Sequence, residues 1–414
     1  MSRERPSDAP PPIAQVAVAV WLVITALAVA QAAVQYRPHT WIERDARFYT
    51  NTNITLVERG SLVQDEFCAS WYEGQLGWNH NLDASWSNIA LGRGGEHLPK
   101  HPILMPILAT PLFWAFGIPG TLIFNLVFFG LAGAGAFLFT RRYGSRTGAM
   151  VAAVGLMLAT GIRGHAYGYH VDTLILAMFA LAMALSVARR GWLAGALVGA
   201  AVMLRPTALL WLPSLLLLIA DRRDWTTMKR ALVSGTAMLV VVALSNWWLY
   251  GAPWWSGYNR VLVVVAGVPQ LADHNQAFSV PLEDGLRALW GGPYGVSHRL
   301  TFLIFVLPGL VLLARRRPLV ALAAVLGLIA SVVLFAKYVW YGDRFLWPSA
   351  LFLLPALAAT FDWAADRARR LLGWRVPVIA ALGTSAMLAA HIASSAIHSG
   401  GLTETLPTLT TNTL

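Results

Sequence analysis

Several residues suited to acid-base and phosphate chemistry lie close to the ends of long apolar runs. Asp45 follows the first apolar run, and Lys100 with His101 precedes a later apolar stretch. Asp172 stands at the start of another run, and Arg205 interrupts a run in its middle. A carboxylate can act as a general base, while cations bind a phosphate or stabilise the charge of a phosphate leaving group. These residue types could bind a phosphate and accept a proton at the ends of helices.

Three further candidates lie in the second half of the chain. Arg344 precedes an apolar run, and Tyr258 and Arg260 lie in a polar segment that also holds Trp254 and Trp255. Aromatic side chains can stack on a sugar ring, although a belt of aromatics at a membrane surface is the alternative interpretation. For Lys100 the alternative is a lysine that reaches out of the lipid at a helix end.

The composition indicates whether this chain lies in water or in a membrane. Of its 414 residues, 57% are hydrophobic and only 12% are charged, which is typical of an integral membrane protein. The single cysteine, Cys68, excludes an intrachain disulfide and a CxxC site. A Walker loop, a GxSxG motif and an HExxH motif are all missing from the sequence.

The apolar runs predict an all-α membrane fold. A helix needs about 20 apolar residues to cross a bilayer, and runs of roughly that kind occupy residues 13–34, 119–139, 147–161, 171–188, 192–220, 231–249, 300–314, 318–336, 345–361 and 376–396. Arg205-Pro206 divides the run 192–220, since proline removes a helix donor and charge is costly in lipid. We read this run as two short helices that turn on the outer side, which gives about 11 transmembrane helices.

Charge gives the predicted orientation. Six basic clusters alternate with the runs and hold 18 of the 31 Lys and Arg residues, so the positive-inside rule places them and the N-terminus in the cytoplasm. The long loops 35–118 and 250–299 then lie outside the plasma membrane. The basic balance thus reports topology and indicates no nucleic-acid partner. An uncleaved anchor is favoured for the first run, with a secretory signal as the alternative.

The domain prediction is a single transmembrane unit over residues 1–396, followed by a disordered outer tail over 397–414. Within the first outer loop, the apolar stretch 103–116 is interpreted as an interfacial helix. Lys100 and His101 would then enter a site at the depth of a lipid phosphate. His165 and His170 are interpreted as ordinary polar residues.

Five short segments in order carry a family resemblance. They are R-D-A-R-F-Y at 44–49, K-H-P-I-L at 100–104, H-V-D-T-L at 170–174, R-P at 205–206 and R-F-L-W-P at 344–348. In order and spacing they resemble the motifs of the GT-C superfamily of membrane glycosyltransferases. The similarity is to the branch of protein mannosyltransferases and the lipid A aminoarabinose transferase, which uses a phospholipid sugar carrier.

The resemblance implies an inverting transfer of a sugar from a polyprenyl-phosphate donor to an acceptor on the extracytoplasmic face. Asp45 would be the general base, and Lys100, Arg205 and Arg344 would stabilise the phosphate. Asp172 would orient the base or the sugar. His101, Tyr258 and Arg260 complete the set predicted to bind the donor.

The resemblance leaves several points open. Arg44 replaces the first acid of the family motif, which makes Glu43 and Asp65 candidates for a second acid. Some relatives require a divalent metal such as Mg²⁺ or Mn²⁺, and no ligand set decides this here. The acceptor is a glycan, a lipid or a protein. The alternatives are a polytopic transporter or lipid flippase, whose spans should carry polar residues, and a catalytically silent GT-C-like scaffold.

Overall fold

A computed structural model describes residues 13–35, 45–64, 89–265, 268–272, 278–291, 303–338 and 343–399. The candidate second acids Glu43 and Asp65 lie outside these residues, as does the predicted tail from residue 400 onward. The last described helix continues to Ser399, three residues into the segment predicted to be disordered.

The described chain is mainly helical. In its first part the helices are α1 (Ile13–Gln35), α2 (Asp45–Arg59), α3 (Leu104–Phe116), α4 (Ile118–Thr140), α5 (Arg146–Leu158), α6 (Val171–Val187), α7 (Gly191–Leu204) and α8 (Leu212–Ala220). The later helices are α9 (Trp225–Tyr250), α10 (Leu282–Gly291), α11 (Leu303–Arg316), α12 (Pro318–Lys337), α13 (Trp347–Leu372) and α14 (Val376–Ser399). Short 3₁₀ helices cover Gly161–Tyr167, Pro206–Trp211, Gly257–Asn259 and Asp343–Phe345.

The chain is an integral membrane protein by the length and composition of its helices. Among the described residues, α1, α4, α9, α12 and α13 are long and apolar enough to cross a bilayer. Helix α5 and the 3₁₀ helix after it would form a sixth span bent by 63°. Shorter apolar segments are α3, α6, α7, Pro206–Ala220 and the Val376–Ala390 part of α14. The predicted number of spans and their orientation stay predictions.

The predicted break at Arg205 is confirmed. Helix α7 ends at Leu204, Arg205 takes an extended conformation (φ −156°, ψ 112°), and Pro206 begins the following 3₁₀ helix. A residue before proline is driven out of the helical region by the proline ring, and proline cannot donate to the preceding turn. The local sequence therefore projects a cation from the end of α7.

A small sheet that the sequence did not predict joins the two long polar loops. Its strands are β1 (Ile89–Leu91), β2 (His97–Pro99), β3 (Val261–Val265) and β4 (Val268–Ala272). They lie in the order β2-β1-β3-β4 with antiparallel neighbours, and Ala90 pairs with Val261. Strands this short show no readable alternation of apolar and polar residues. The sheet fixes the backbone that leads into Lys100.

The apolar core lies between the helices, and small residues allow the helices to approach closely. Helices α4, α6 and α13 are buried along most of their described length. Helices α7 and α9 pack so closely that a Cβ at Gly195 would lie 2.0 Å from the carbonyl oxygen of Ala231. These contacts set the positions of the polar side chains at the helix ends.

Candidate active site

Helix α2 positions Asp45. Asp45 is its first residue, where the positive end of the helix dipole favours a carboxylate. Further along α2, the buried Asn53 donates its Nδ2 hydrogen to the carbonyl of Pro106 at 2.8 Å. The hydroxyl of Tyr169 donates to Oδ1 of Asn53, also at 2.8 Å. One amide thus holds α2 against α3 and against the segment that leads into α6.

The carboxylate of Asp45 forms an ion pair with Arg344. Nη1 of Arg344 lies 3.1 Å from Oδ2 of Asp45, and its Nη2 donates to the hydroxyl of Tyr338 at 2.7 Å. Arg344 lies in the 3₁₀ helix directly before α13. The side chains of Asp45 and Arg344 are 34% and 25% exposed, so a ligand can reach this pair.

A second ion pair joins Arg205 to Asp172. Nη2 of Arg205 lies 2.6 Å from Oδ1 of Asp172, and the two side chains are only 13% and 7% exposed. The guanidinium carbons of Arg205 and Arg344 lie 5.3 and 5.9 Å from the centre of the Phe345 ring. An aromatic ring attracts cations. Phe345 thus brings the two ion pairs into one cluster.

The two polar loops contribute a third group to the cluster. Oη of Tyr258 makes a 3.0 Å hydrogen bond with Nδ1 of His101, and Nζ of Lys100 lies 5.8 Å from the centre of the Tyr258 ring. His101 also stacks on Phe48 of α2, with ring centres 4.9 Å apart. A Cβ at Gly257 would lie 2.4 Å from the carbonyl oxygen of Lys100, so the close contact of the loops requires glycine there.

The environment shifts the pKa values of the polar groups outside the helical spans. Burial opposes ionisation of Asp45, but His101 and Arg344 outweigh it and lower its pKa to about 2. Burial lowers the pKa of Lys100 to about 8, against the attraction of Asp45. Burial, and next the neighbouring His165, lower the pKa of His170 to about 4. At neutral pH Asp45 is therefore an anion, Lys100 is mostly charged and His170 is neutral.

The charges of the cluster leave a positive excess. Two carboxylates, Asp45 and Asp172, face the three cations of Lys100, Arg205 and Arg344. At neutral pH these five groups sum to about one positive charge, because Lys100 is largely protonated below its pKa. The cluster therefore suits an anionic ligand such as a phosphate.

The structure brings most of the predicted site residues together and places one of them differently. Asp45, Asp172, Arg205 and Arg344 form the ion pairs, and Lys100, His101 and Tyr258 form the adjoining group. Nε of Arg260 instead donates to the carbonyl of Leu91 at 2.8 Å, and its guanidinium lies 5.2 Å from the Trp255 ring centre. Arg260 therefore braces β1 against the second loop, and its role in donor binding stays a prediction.

Three residues of the cluster had no role in the sequence analysis. Tyr338 and Phe345 lie on either side of Arg344 in the sequence. Aromatic residues on both sides of a candidate arginine are the sequence signal from which a role for them could have been predicted. His170 was interpreted as an ordinary polar residue, yet its charge state affects that of Asp45. Within the described part of the chain, no three His, Cys, Asp or Glu side chains form a group that could hold a metal ion.

Comparisons with known proteins give similarity in structure only. No family model and no curated protein matches this sequence. The chain is similar to the structure of ArnT from Cupriavidus metallidurans bound to undecaprenyl phosphate, with a TM-score of 0.49 and 15% identity. That similarity covers 94% of this chain and 70% of ArnT.

A second solved structure is similar to the same extent. It is the archaeal oligosaccharyltransferase AglB from Archaeoglobus fulgidus in complex with an inhibitory peptide and a dolichol-phosphate. The TM-score is again 0.49, with 11% identity, over 93% of this chain and 56% of AglB. Similarity of this degree concerns the course of the helices and assigns no residue a role.

Proposed function

We propose that this chain is a membrane glycosyltransferase that moves a sugar from a polyprenyl-phosphate donor to an acceptor hydroxyl on the extracytoplasmic face. The observation that carries the proposal is the accessible Asp45 carboxylate, held 3.1 Å from Arg344 beside two further cations. A carboxylate next to a phosphate-binding group of cations supplies both a base for the acceptor and stabilisation of the leaving group.

The lipid part of the donor would lie along an apolar groove between α7, α8 and α9. The groove is partly open at the surface, and its enclosed part has a volume of about 50 Å³. Val202 and Leu209, which line it, stand close to Arg205 on either side along the chain. A polyprenyl chain along this groove would have its phosphate towards the cations. The apolar lining of the groove suits a lipid chain.

The proposed reaction is a single displacement. Asp45 takes the proton of the acceptor hydroxyl, whose oxygen forms a bond to the anomeric carbon of the sugar. The bond from that carbon to the phosphate oxygen breaks, and its electron pair stays with the lipid phosphate. Arg344, Arg205 and Lys100 stabilise the added charge. Attack on the face opposite the leaving group inverts the configuration of the sugar.

The ion pair between Asp45 and Arg344 implies an order of binding. A carboxylate with a pKa of about 2 is a weak base. When the donor phosphate binds, Arg344 donates its hydrogen bonds to the phosphate instead of to Asp45, and the negative charge of the phosphate weakens the positive field at Asp45. The pKa of Asp45 then rises, and the base becomes stronger only after the donor has bound.

The direct test is sugar transfer in membranes that contain or lack this chain. Radiolabelled polyprenyl-phosphate sugars with different sugar groups are supplied, and label is followed into glycan, lipid and protein fractions. Transfer that depends on the chain establishes the activity and identifies the acceptor class. If no donor is consumed while a lipid or solute crosses the bilayer, the chain is a transporter. If neither occurs, it is a silent scaffold.

The pH dependence of donor binding should report on Lys100. Because its pKa is lowered to about 8, Lys100 loses its charge as the pH rises through that value, and the KM for the donor should rise about tenfold. Arginine keeps its charge, so Lys100→Arg should remove most of this dependence. Initial rates at several donor concentrations below and above pH 8 measure it.

Lys229→Arg is the matched control, because Lys229 lies near the start of α9, which packs against the end of α7 opposite to Arg205. Its donor KM should rise with pH as in the wild type. A wild-type KM that is constant through this pH range would contradict a role of Lys100 in binding the donor phosphate.

A further inference from the structure

The guanidinium of Arg344 divides its hydrogen bonds between acceptors on two different elements. Its Nη1 donates to Oδ2 of Asp45 at 3.1 Å, and its Nη2 donates to the hydroxyl oxygen of Tyr338 at 2.7 Å. Asp45 begins α2, whereas Tyr338 directly follows α12. A guanidinium can donate two parallel hydrogen bonds to one carboxylate, but here Nη2 is turned to Tyr338. One hydrogen bond therefore joins Arg344 to Asp45.

The two acceptors differ in how easily a ligand can reach them. The side chain of Asp45 is 34% exposed, while Tyr338 is only 9% exposed. A phosphate that enters the site can therefore replace Asp45 as the acceptor for Nη1, but it cannot easily replace Tyr338 as the acceptor for Nη2. The exchange would leave the guanidinium fixed by one of its two arms.

Packing holds the ring of Tyr338 in place. Its centre lies 4.9 Å from the centre of the Phe345 ring and 5.2 Å from the centre of the Phe278 ring. Phe278 comes from the second polar loop, and the backbone N–H of Val280 in the same segment donates to the carbonyl of Lys337 at 3.3 Å. Tyr338 is thus held between the end of α12, the start of α13 and this loop segment.

Helix α10 strengthens the same contact. A Cβ at Gly285 in α10 would lie 1.8 Å from the carbonyl oxygen of Ala336 in the last turn of α12. The backbones of the two helices meet there because glycine has no side chain. The end of α12, from which Tyr338 projects, is therefore fixed by backbone contacts as well as by ring packing.

A fixed acceptor matters because arginine has a long and flexible side chain. Ordering such a side chain only when a ligand binds reduces the affinity for that ligand. In this site Arg344 is ordered beforehand, since its Nη2 is bonded to Tyr338 and its guanidinium carbon lies 5.1 Å from the centre of the Tyr338 ring. The aromatic ring attracts the cation and the hydroxyl sets its direction.

We propose that Tyr338 is a positioning residue that holds Nη2 of Arg344, so that Nη1 can exchange Asp45 for the donor phosphate. The proposal rests on the proposed function, because the ligand is the donor phosphate. Tyr338 acts through Arg344 and does not touch the reacting atoms. Without its hydroxyl, Nη2 can turn to the second oxygen of Asp45. The phosphate must then displace two hydrogen bonds instead of one.

The test is Tyr338→Phe, which keeps the packed ring and removes the acceptor for Nη2. The KM for the donor should rise about 3- to 10-fold. The kcat should stay within about twofold of the wild type, because a bound phosphate itself orients the guanidinium. Steady-state rates measure both, and native mass spectrometry of the purified full chain with polyprenyl phosphate that carries no sugar measures binding without turnover.

A double-mutant cycle separates positioning from a structural role. Arg344→Gln removes the guanidinium through which Tyr338 acts, so adding Tyr338→Phe to it should change the KM by less than about twofold. If Tyr338 only stabilised the fold, the second substitution would have the same effect in both backgrounds.

Tyr143→Phe is the matched control, because it also removes a buried tyrosine hydroxyl. Tyr143 follows the end of α4, a helix of 23 residues and about 34 Å that begins directly after α3. It therefore lies far from α2 and Asp45. Its donor KM and its affinity for polyprenyl phosphate should equal those of the wild type.

Two results would overturn the proposal. One is a Tyr338→Phe variant with wild-type donor KM and wild-type affinity for polyprenyl phosphate. The other is an equal rise of the KM in the wild-type and Arg344→Gln backgrounds, which would assign Tyr338 a structural role. If the wild type binds polyprenyl phosphate but transfers no sugar, the proposed function fails and the affinity of Tyr338→Phe alone decides the inference. A wild type that neither transfers nor binds overturns both.

Discussion

Replacing Asp45 with asparagine is expected to reduce sugar transfer by about 10² to 10⁴-fold while the fold remains intact. The amide keeps the size of the side chain and can still contact Arg344, but it cannot accept the proton of the acceptor hydroxyl. The donor KM should change little in comparison, because the cations that bind the phosphate remain. Steady-state rates with the donor identified in the transfer assay measure both quantities.

Glu58→Gln is the matched control for this substitution. Glu58 lies in the same helix as Asp45 and is exposed, so it loses the same charge away from the site. Its rate should equal that of the wild type. An active Asp45→Asn variant would exclude Asp45 as the base and shift attention to Glu43 or Asp65. A variant with normal donor binding and no turnover would support the proposed role.

The second large effect is expected for Arg344→Gln. Loss of its charged hydrogen bonds should lower kcat/KM for the donor by about 10 to 100-fold, chiefly through KM. The pKa of Asp45 should also change. Burial already opposes ionisation of Asp45, and Arg344 with His101 holds its pKa down. Without Arg344 that pKa rises, so the acid limb of the rate profile moves to higher pH.

The pH profile separates this explanation from a purely structural one. A loosened fold would lower the rate at every pH and leave the acid limb in place. Arg287→Gln is the control, because Arg287 pairs with Glu283 at 2.6 Å in an exposed contact and should affect neither parameter. An unshifted acid limb in Arg344→Gln would show that Arg344 does not control the basicity of Asp45. The proposal that the donor binds first and thereby makes Asp45 a stronger base would then lose its support.

The sequence by itself determined the long apolar helices and the polar residues at their ends, but not the helices α2 and α10 in the polar loops. Long apolar runs become helices because a lipid or apolar environment requires every backbone group to be paired within the segment. The break at Arg205 was equally readable, since proline restricts the residue before it by a local steric clash. Asp45, Lys100 and Arg344 were identifiable for the same reason, because charges are costly near apolar runs unless they have a partner or a function.

Only the tertiary structure decided which of these residues meet. Asp45 and Arg344 are 299 residues apart in the chain, and Tyr258 and His101 are 157 apart. Such pairings depend on how each helix is rotated about its axis and on how the loops close, which local periodicity does not encode. The sheet between the polar loops depends on the pairing of Ala90 with Val261, again far apart in sequence. Tertiary packing likewise placed Arg260 against Leu91 of β1, because only the contact between the two polar loops brings those segments together.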